Sequence, residues 1–167
     1  MGFVVDLIRE YGFGIVFLNV LVEQLGAPIP AYPVLVVTGA LEGGSLARLG
    51  WLTVIAVAAA LMADVLWYHA GRAYGHRVLG RICRISLSPD ACIRQTESVY
   101  GRWGAKSLLV AKFVPGFSTV APPITGALRM PLSSFVLAAA CGAALWAGLA
   151  LCAGWLMHDQ VRQVIAL

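Results

Sequence analysis

Residues 112–128 read Lys-Phe-Val-Pro-Gly-Phe-Ser-Thr-Val-Ala-Pro-Pro-Ile-Thr-Gly-Ala-Leu, and this stretch decides which folds the chain can adopt. A lysine opens it inside an otherwise apolar run, and four helix-breaking residues follow, which are Pro115, Gly116, Pro122 and Pro123. Broken backbone survives in lipid only where protein or a water-filled cavity covers its unsatisfied polar groups. A charge at that depth indicates a functional site. We therefore predict that this stretch lines a site inside a membrane.

The composition of the chain supports a membrane setting. Of its 167 residues, 60% are hydrophobic and only 12% are charged, with a mean hydropathy of +0.83. Soluble domains carry about 25% charged residues. We therefore predict one integral membrane domain over residues 1–167, all-α in class.

Nucleic-acid binding and metal chemistry are not expected. The net charge of +4 comes from basic residues that flank apolar segments and do not form an aromatic-interleaved face. The four cysteines show neither CxxC nor metal-ligand spacing. We expect no metal, no cofactor and no nucleic-acid partner.

The first 41 residues predict a short amphipathic helix followed by a broken apolar segment. Residues 3–10 alternate apolar and charged side chains at helical spacing. Residues 11–41 would form a single helix of about 46 Å, too long for a hydrocarbon core of about 30 Å but too short for two spans. Since Pro28 and Pro30 interrupt the middle, we predict a re-entrant hairpin with these prolines at its tip. A single broken span is the alternative.

Two spanning helices are predicted further along. Residues 42–50 read as a polar, glycine-rich loop, and residues 51–71 as a membrane-spanning helix that contains Asp64. Residues 131–157 contain no Asp, Glu, Lys, Arg or His and give the clearest spanning segment.

A basic segment and a second hairpin lie between these spans. Residues 72–106 are rich in arginine, and a Ser-Pro-Asp helix-start signal at 88–90 predicts an amphipathic helix over 89–103. Residues 107–128, with their breakers and Lys112, predict the second re-entrant hairpin.

An internal repeat links the two halves. The tetrapeptide Thr-Gly-Ala-Leu occurs at 38–41 and at 125–128, 87 residues apart, each time after a proline-rich break and before a spanning helix. We assign repeat one to about 3–71 and repeat two to about 89–157. Because a hairpin does not cross the membrane and a span crosses once, the second copy is inverted relative to the first, as in many secondary transporters.

The inverted arrangement brings Glu23 and Lys112 in from opposite faces, so that they approach each other. A transport site and a structural ion pair both fit this pairing. Asp64 either joins them or bonds to Tyr68 one turn on, or to loop backbone, as a helix anchor.

The distribution of basic residues sets the orientation. Eight of the twelve Lys and Arg residues lie between the two predicted spans, Lys112 lies inside the membrane, and three lie on the other side. The positive-inside rule places the central basic segment in the cytoplasm and both termini outside. If the first hairpin were instead a true span, the N-terminus would move to the cytoplasm.

Three ordered motifs resemble the DedA family, also called the VTT or SNARE-associated Golgi protein family. The motifs are Glu23-Gln-Leu-Gly-Ala-Pro-Ile-Pro30, Ala63-Asp-Val-Leu-Trp-Tyr-His-Ala-Gly-Arg72, and Lys112 to Gly126 followed by Met130, Phe135 and Gly142-Ala-Ala-Leu-Trp146. The resemblance covers roughly residues 10–157.

This resemblance implies two facing re-entrant hairpins and a multi-pass protein of a bacterial inner membrane. It also implies flippase- or scramblase-like movement of lipids between leaflets, including phospholipids and undecaprenyl phosphate, with proton coupling proposed for some members. The family's functional residues are two acids in the first hairpin and two arginines in the second. Here Glu23 matches the first acid and Tyr32 stands in place of the second, whereas Lys112 and Ser118 stand in place of the arginines.

The predicted mechanism is a polar groove through which a phosphate headgroup passes while its acyl tails stay in lipid. Lys112 attracts the phosphate, and Ser118, Thr119 and free backbone amides donate hydrogen bonds. Helix N-termini around Pro33 and Pro122 add partial positive charge. No covalent bond changes, so we do not expect an enzyme.

Two other function classes stay open. A secondary transporter for a small solute or oxyanion would also use a groove with one lysine. The third class is a non-transporting, membrane-organising protein. Tyr32 also fits a simple packing role. Glycine and alanine in residues 138–154 would allow a homo-oligomer.

Overall fold

The structure is a computed structural model that describes residues 2–41, 45–75, 77, 98, 102–104, 106–113 and 117–158. Six α-helices lie in this part of the chain, which confirms the all-α prediction. They are α1 (Gly2–Gln24), α2 (Ala31–Leu41), α3 (Leu46–Tyr74), α4 (Lys106–Ala111), α5 (Phe117–Ala127) and α6 (Leu132–Leu156). Most of the helix predicted over 89–103 lies outside the described residues, as do the predicted tip residues Pro115 and Gly116.

Helix α1 consists of two parts, as predicted. Tyr11 has non-helical dihedral angles (φ −120°, ψ 20°), so the helix is kinked where the predicted segment 3–10 ends. The second part ends at Gln24 in a Schellman motif, in which Gly26 at φ 109° and the next amide bond back to carbonyls of the last turn. Pro28 and Pro30 follow in the non-helical connection, at the predicted break.

Helices α3 and α6 fall where the two spans are predicted, and each is long and apolar enough to cross a membrane. Helix α3 begins at Leu46, so residues 46–50 of the predicted loop are helical. The reason is a local cap, because the Ser45 hydroxyl and carbonyl accept bonds from the Arg48 and Leu49 amides.

The segment predicted as the second hairpin contains two helices, α4 and α5, and two of its four predicted breakers lie within a helix. Pro122 and Pro123 lie inside α5, so the prediction that they break the helix is wrong. They remove only the amide donors that would serve the carbonyls of Ser118 and Thr119. The rest of α5 stays helical, and its N-terminus is Phe117, not a residue near Pro122.

The chain divides into two compact units. The first comprises Met1–Ala60 with Ala143–Leu167, and its buried core includes Val16, Leu35 and Leu151. The second is Leu61–Gly142, with a core built around Tyr68 and Phe135. Each unit therefore contains one of the two broken segments.

In the first unit, α2 packs backbone to backbone on α6. A Cβ atom added at Gly39 would overlap the carbonyl oxygen of Leu151, and one added at Gly154 would overlap that of Val36. Gly39 belongs to the first Thr-Gly-Ala-Leu copy. The absence of a side chain at Gly39 and Gly154 is thus what allows these two helices to approach.

Candidate functional site

Lys112 and Asp64 form a buried ion pair in the second unit. The Lys112 Nζ atom lies 2.9 Å from Asp64 Oδ1 and 2.7 Å from Oδ2. The side chains are only 4% and 2% exposed. Moving either charge out of water alone costs several kcal/mol, so each group depends on the other. The prediction that Asp64 anchors its helix through Tyr68 or loop backbone is replaced by this pairing.

Lys112 occupies the first position after α4, where the chain leaves the helix. Helix α5 begins at Phe117, after residues 112–116. The cation therefore belongs to the point at which the second broken segment leaves its first helix.

Ser118 and Thr119 lie in the first turn of α5 and are half-buried. The first turn of a helix carries partial positive charge, which favours a nearby anion. Further along α5, the Thr125 hydroxyl donates to the Pro122 carbonyl at 2.8 Å. That hydroxyl is therefore committed to the backbone.

A second face of contacts holds α5 against α3. A Cβ atom added at Gly71 would overlap the Pro123 carbonyl, and one added at Gly126 would overlap the Tyr68 carbonyl. Asp64, Tyr68 and Gly71 lie four and seven residues apart, hence on one side of α3. The side of α3 that carries the carboxylate is therefore the side that receives α5.

Tyr68 fixes the end of this assembly. Its hydroxyl donates to the Met130 carbonyl and accepts from Arg72 Nη1 at 2.8 Å. Its ring stacks on Phe135 with centroids 4.6 Å apart. Met130 follows Arg129, whose positive φ of 55° completes the Schellman motif at the end of α5. Tyr68 thus ties α3 to the connection between α5 and α6.

Sequence reasoning did not assign Tyr68, Gly71 or Arg72 to the site. The sequence feature that could have identified Tyr68 and Gly71 is their helical spacing from Asp64, which places them on the same side of α3 as its carboxylate. A buried tyrosine needs a partner for its hydroxyl, and a glycine within a spanning helix indicates close backbone approach.

Glu23 has a defined role in the first unit. Its Oε1 atom accepts a hydrogen bond from the Ala31 amide at 3.0 Å, and the buried Gln24 donates to Oε2 at 3.4 Å. Ala31 is the first residue of α2, so the carboxylate caps that helix across the proline-containing break. The approach of Glu23 to Lys112 stays a prediction.

Tyr32 lies in the first turn of α2 and is 41% exposed. Its ring packs at a tilt against Trp146, with centroids 6.0 Å apart. This contact fits the packing role, and a part in substrate binding stays a prediction. Among the described residues no group of His, Cys, Asp and Glu side chains is arranged to hold a metal ion.

These features define a class: a helical membrane protein in which two apolar segments are broken and one break carries a buried cation. The VTT domain family matches residues 29–156, and the chain therefore belongs to this family, the DedA family of membrane proteins. The resemblance predicted from the three motifs is confirmed.

Relatives named as membrane proteins come from distant bacteria. The chain is 29% identical to membrane protein slr0232 of Synechocystis over 163 residues, which is 96% of this chain and 75% of that protein. It is 30% identical to membrane protein Rv2637 of Mycobacterium tuberculosis over 132 residues, 76% of this chain and 60% of that protein. Protein DedA of Escherichia coli is 29% identical over 174 residues, covering 96% of this chain and 79% of that protein. No solved structure matches the chain.

Proposed function

We propose that this protein moves phosphate-bearing lipids between the leaflets of a bacterial inner membrane, in the manner of a flippase or scramblase. The observation that carries the proposal is the buried Lys112–Asp64 pair at the break between α4 and α5. A protein that served only to organise a membrane would have no need to bury a cation at a broken hairpin. The positive charge of Lys112 attracts a phosphate headgroup and offsets part of the cost of removing that headgroup from water.

The architecture behind this function is an inverted repeat of two facing re-entrant hairpins. The lengths of the hairpin arms support it: the 11 residues of α2 or of α5 would span about 16 Å, well short of the roughly 30 Å of the hydrocarbon core. Helices α3 and α6 are long enough to cross. In this arrangement the central basic segment faces the cytoplasm and both termini lie outside.

Reciprocal glycine contacts support the repeat independently of helix length. Gly39 and Gly126 are equivalent residues of the two Thr-Gly-Ala-Leu copies. Gly39 lies against α6, the span after the second copy, and Gly126 lies against α3, the span after the first. Each of these helices also contributes a glycine to the contact: Gly154 of α6 lies against α2, and Gly71 of α3 lies against α5. This exchange of partners is what two inverted copies would produce.

In the proposed mechanism Lys112 attracts the phosphate, and the first turn of α5 supplies hydroxyl and amide donors from Ser118 and Thr119. The acyl tails stay in lipid. The protein changes no covalent bond, so it acts as a transporter and not as an enzyme, without a cofactor.

Exchange of fluorescent phospholipids between leaflets of proteoliposomes tests this proposal. We expect Lys112→Ala to lower the rate of lipid exchange by about tenfold or more, because it removes one or two charge-assisted hydrogen bonds to the phosphate. Lys106→Ala is the matched control, since Lys106 is an exposed lysine at the start of the short helix that Lys112 follows. Both variants must elute as the wild type does from size exclusion.

Other outcomes would reject the proposal. Exchange that survives in Lys112→Ala would show that the ion pair is structural. Uptake of a small oxyanion without lipid exchange would establish the solute-transporter alternative. Absence of both activities, with a stable partner protein, would favour a membrane-organising role.

A further inference from the structure

The carboxylate of Asp64 is already bound to Lys112 Nζ, the atom to which the proposed function assigns the phosphate. Both of its oxygens lie within 3 Å of Lys112 Nζ, at 2.9 and 2.7 Å. An anionic headgroup that binds this nitrogen in the same way must take the place of Asp64. The inference below rests on the proposed function and concerns what then happens to the displaced carboxylate.

A displaced Asp64 carboxylate would be left charged in a buried position. Asp64 is 1% exposed, and it is the only acid among the described residues of the unit Leu61–Gly142. A buried carboxylate that loses its counter-charge costs several kcal/mol, and such a group is neutralised instead.

We propose that Asp64 takes up a proton when a phosphate headgroup replaces it on Lys112, so that Asp64 couples proton binding to headgroup binding. The charges balance at each stage. Before binding, the ammonium and the carboxylate cancel. After binding, the ammonium and a singly charged phosphodiester cancel, and the carboxyl group is neutral with a proton drawn from solvent.

The other titratable groups around Asp64 do not supply this proton. On α3, the Tyr68 hydroxyl is committed to Met130 and Arg72, and His69 is exposed and contacts the Tyr68 ring edge-on. From α4 the facing group is Lys112 itself. Among the described residues of α5 there is no titratable side chain. Asp64 is thus the group on which a proton would be held.

Isothermal titration calorimetry of the purified full chain in buffers of different ionisation enthalpy measures the protons taken up on binding. The probes are short-chain dihexanoyl-phosphatidylglycerol, which has no titratable group near neutral pH, and inorganic phosphate. For the wild type we expect roughly one proton per bound phosphatidylglycerol headgroup, and an affinity that falls about tenfold per unit rise from about pH 7 to 8.5.

Asp64→Asn should bind the same probe with no proton uptake and with an affinity independent of pH, whereas Asp64→Glu should keep the uptake. If Asp64→Asn folds poorly, infrared difference spectroscopy of the wild type provides the test instead. Addition of the probe should produce the carbonyl band of a protonated carboxyl group, and isotope labelling of aspartate should shift that band.

The outcomes separate the two proposals. If the wild type binds neither probe, or Lys112→Ala binds as well as the wild type, the proposed function fails. If binding depends on Lys112 but is not accompanied by proton uptake, the coupling role of Asp64 is overturned. Proton uptake that persists in Asp64→Asn would overturn it as well. Binding of inorganic phosphate alone, with Asp64-dependent uptake beyond that of phosphate itself, would keep the role of Asp64 and assign the site to a free oxyanion.

Discussion

Replacing Gly71 by alanine tests the backbone contact between α3 and α5 on which the site depends. The added Cβ would overlap the carbonyl group and the Cα atom of Pro123. These are backbone atoms of a buried helix, so they cannot rotate aside as a side chain would. Overpacking of this kind costs about 1 to 3 kcal/mol, and backbone on both sides places this site near the upper value. Since alanine improves helix propensity by about 1 kcal/mol, the expected net loss is about 2 kcal/mol.

Thermal unfolding in detergent measures this loss. For a chain of this size, about 2 kcal/mol corresponds to a Tm lowered by about 4 to 8 °C. The five tryptophans give an intrinsic fluorescence signal. Gly50→Ala is the matched control, because Gly50 lies on the same helix with no atom within 4 Å of its added Cβ. It should leave the Tm unchanged or raise it.

The same comparison applies to the first unit, where Gly154→Ala should destabilise and Gly148→Ala should not. Equal melting temperatures for Gly71→Ala, Gly50→Ala and the wild type would refute the close contact of α3 and α5. A loss at Gly71 without a loss at Gly154 would refute the reciprocal packing that supports the inverted repeat.

Substitutions at three further positions test single features of the structure by the same melting assay. Glu23→Ala removes the cap of the Ala31 amide and should cost about 1 kcal/mol, whereas Glu23→Gln, which keeps an acceptor, should cost less than half of that; equal losses would contradict the cap. Tyr68→Phe leaves the Met130 carbonyl without its donor and should cost about 1 to 3 kcal/mol; an unchanged Tm would contradict this bond. Arg129→Gly relieves a left-handed residue and should raise stability by about 1 kcal/mol, which a lowered Tm would disprove.

The spanning and broken segments could be predicted because membrane insertion imposes strong rules on sequence. A run such as 131–157, which contains no Asp, Glu, Lys, Arg or His, has few alternatives to a long apolar helix, and α6 occupies Leu132–Leu156 of it. The change at Tyr11 from amphipathic to apolar pattern coincides with the kink in α1. These are properties that local composition determines.

Pro122 and Pro123 were wrongly predicted to break the helix because proline is an ambiguous signal. Pro122 and Pro123 each remove one amide donor, but adjacent prolines affect adjacent carbonyls of a single turn. Both are buried, and the backbone of Pro123 lies against Gly71. A helix survives such a defect where tertiary packing supports it, and sequence alone does not show what packs there.

The partner of Lys112 is the clearest case of a contact that sequence constrains without identifying. A buried cation requires a counter-charge, and the repeat pattern pointed to Glu23, with Asp64 either joining the pair or anchoring its own helix. The structure shows Asp64 on Lys112, while Glu23 caps α2 within its own unit. Asp64 and Gly71 lie on the same side of α3, and a Cβ atom added at Gly71 would overlap the backbone of Pro123 in α5. An uncharged glycine thus permits the helix contact on the side of α3 that carries Asp64, and the distribution of charges in the sequence does not reveal that contribution.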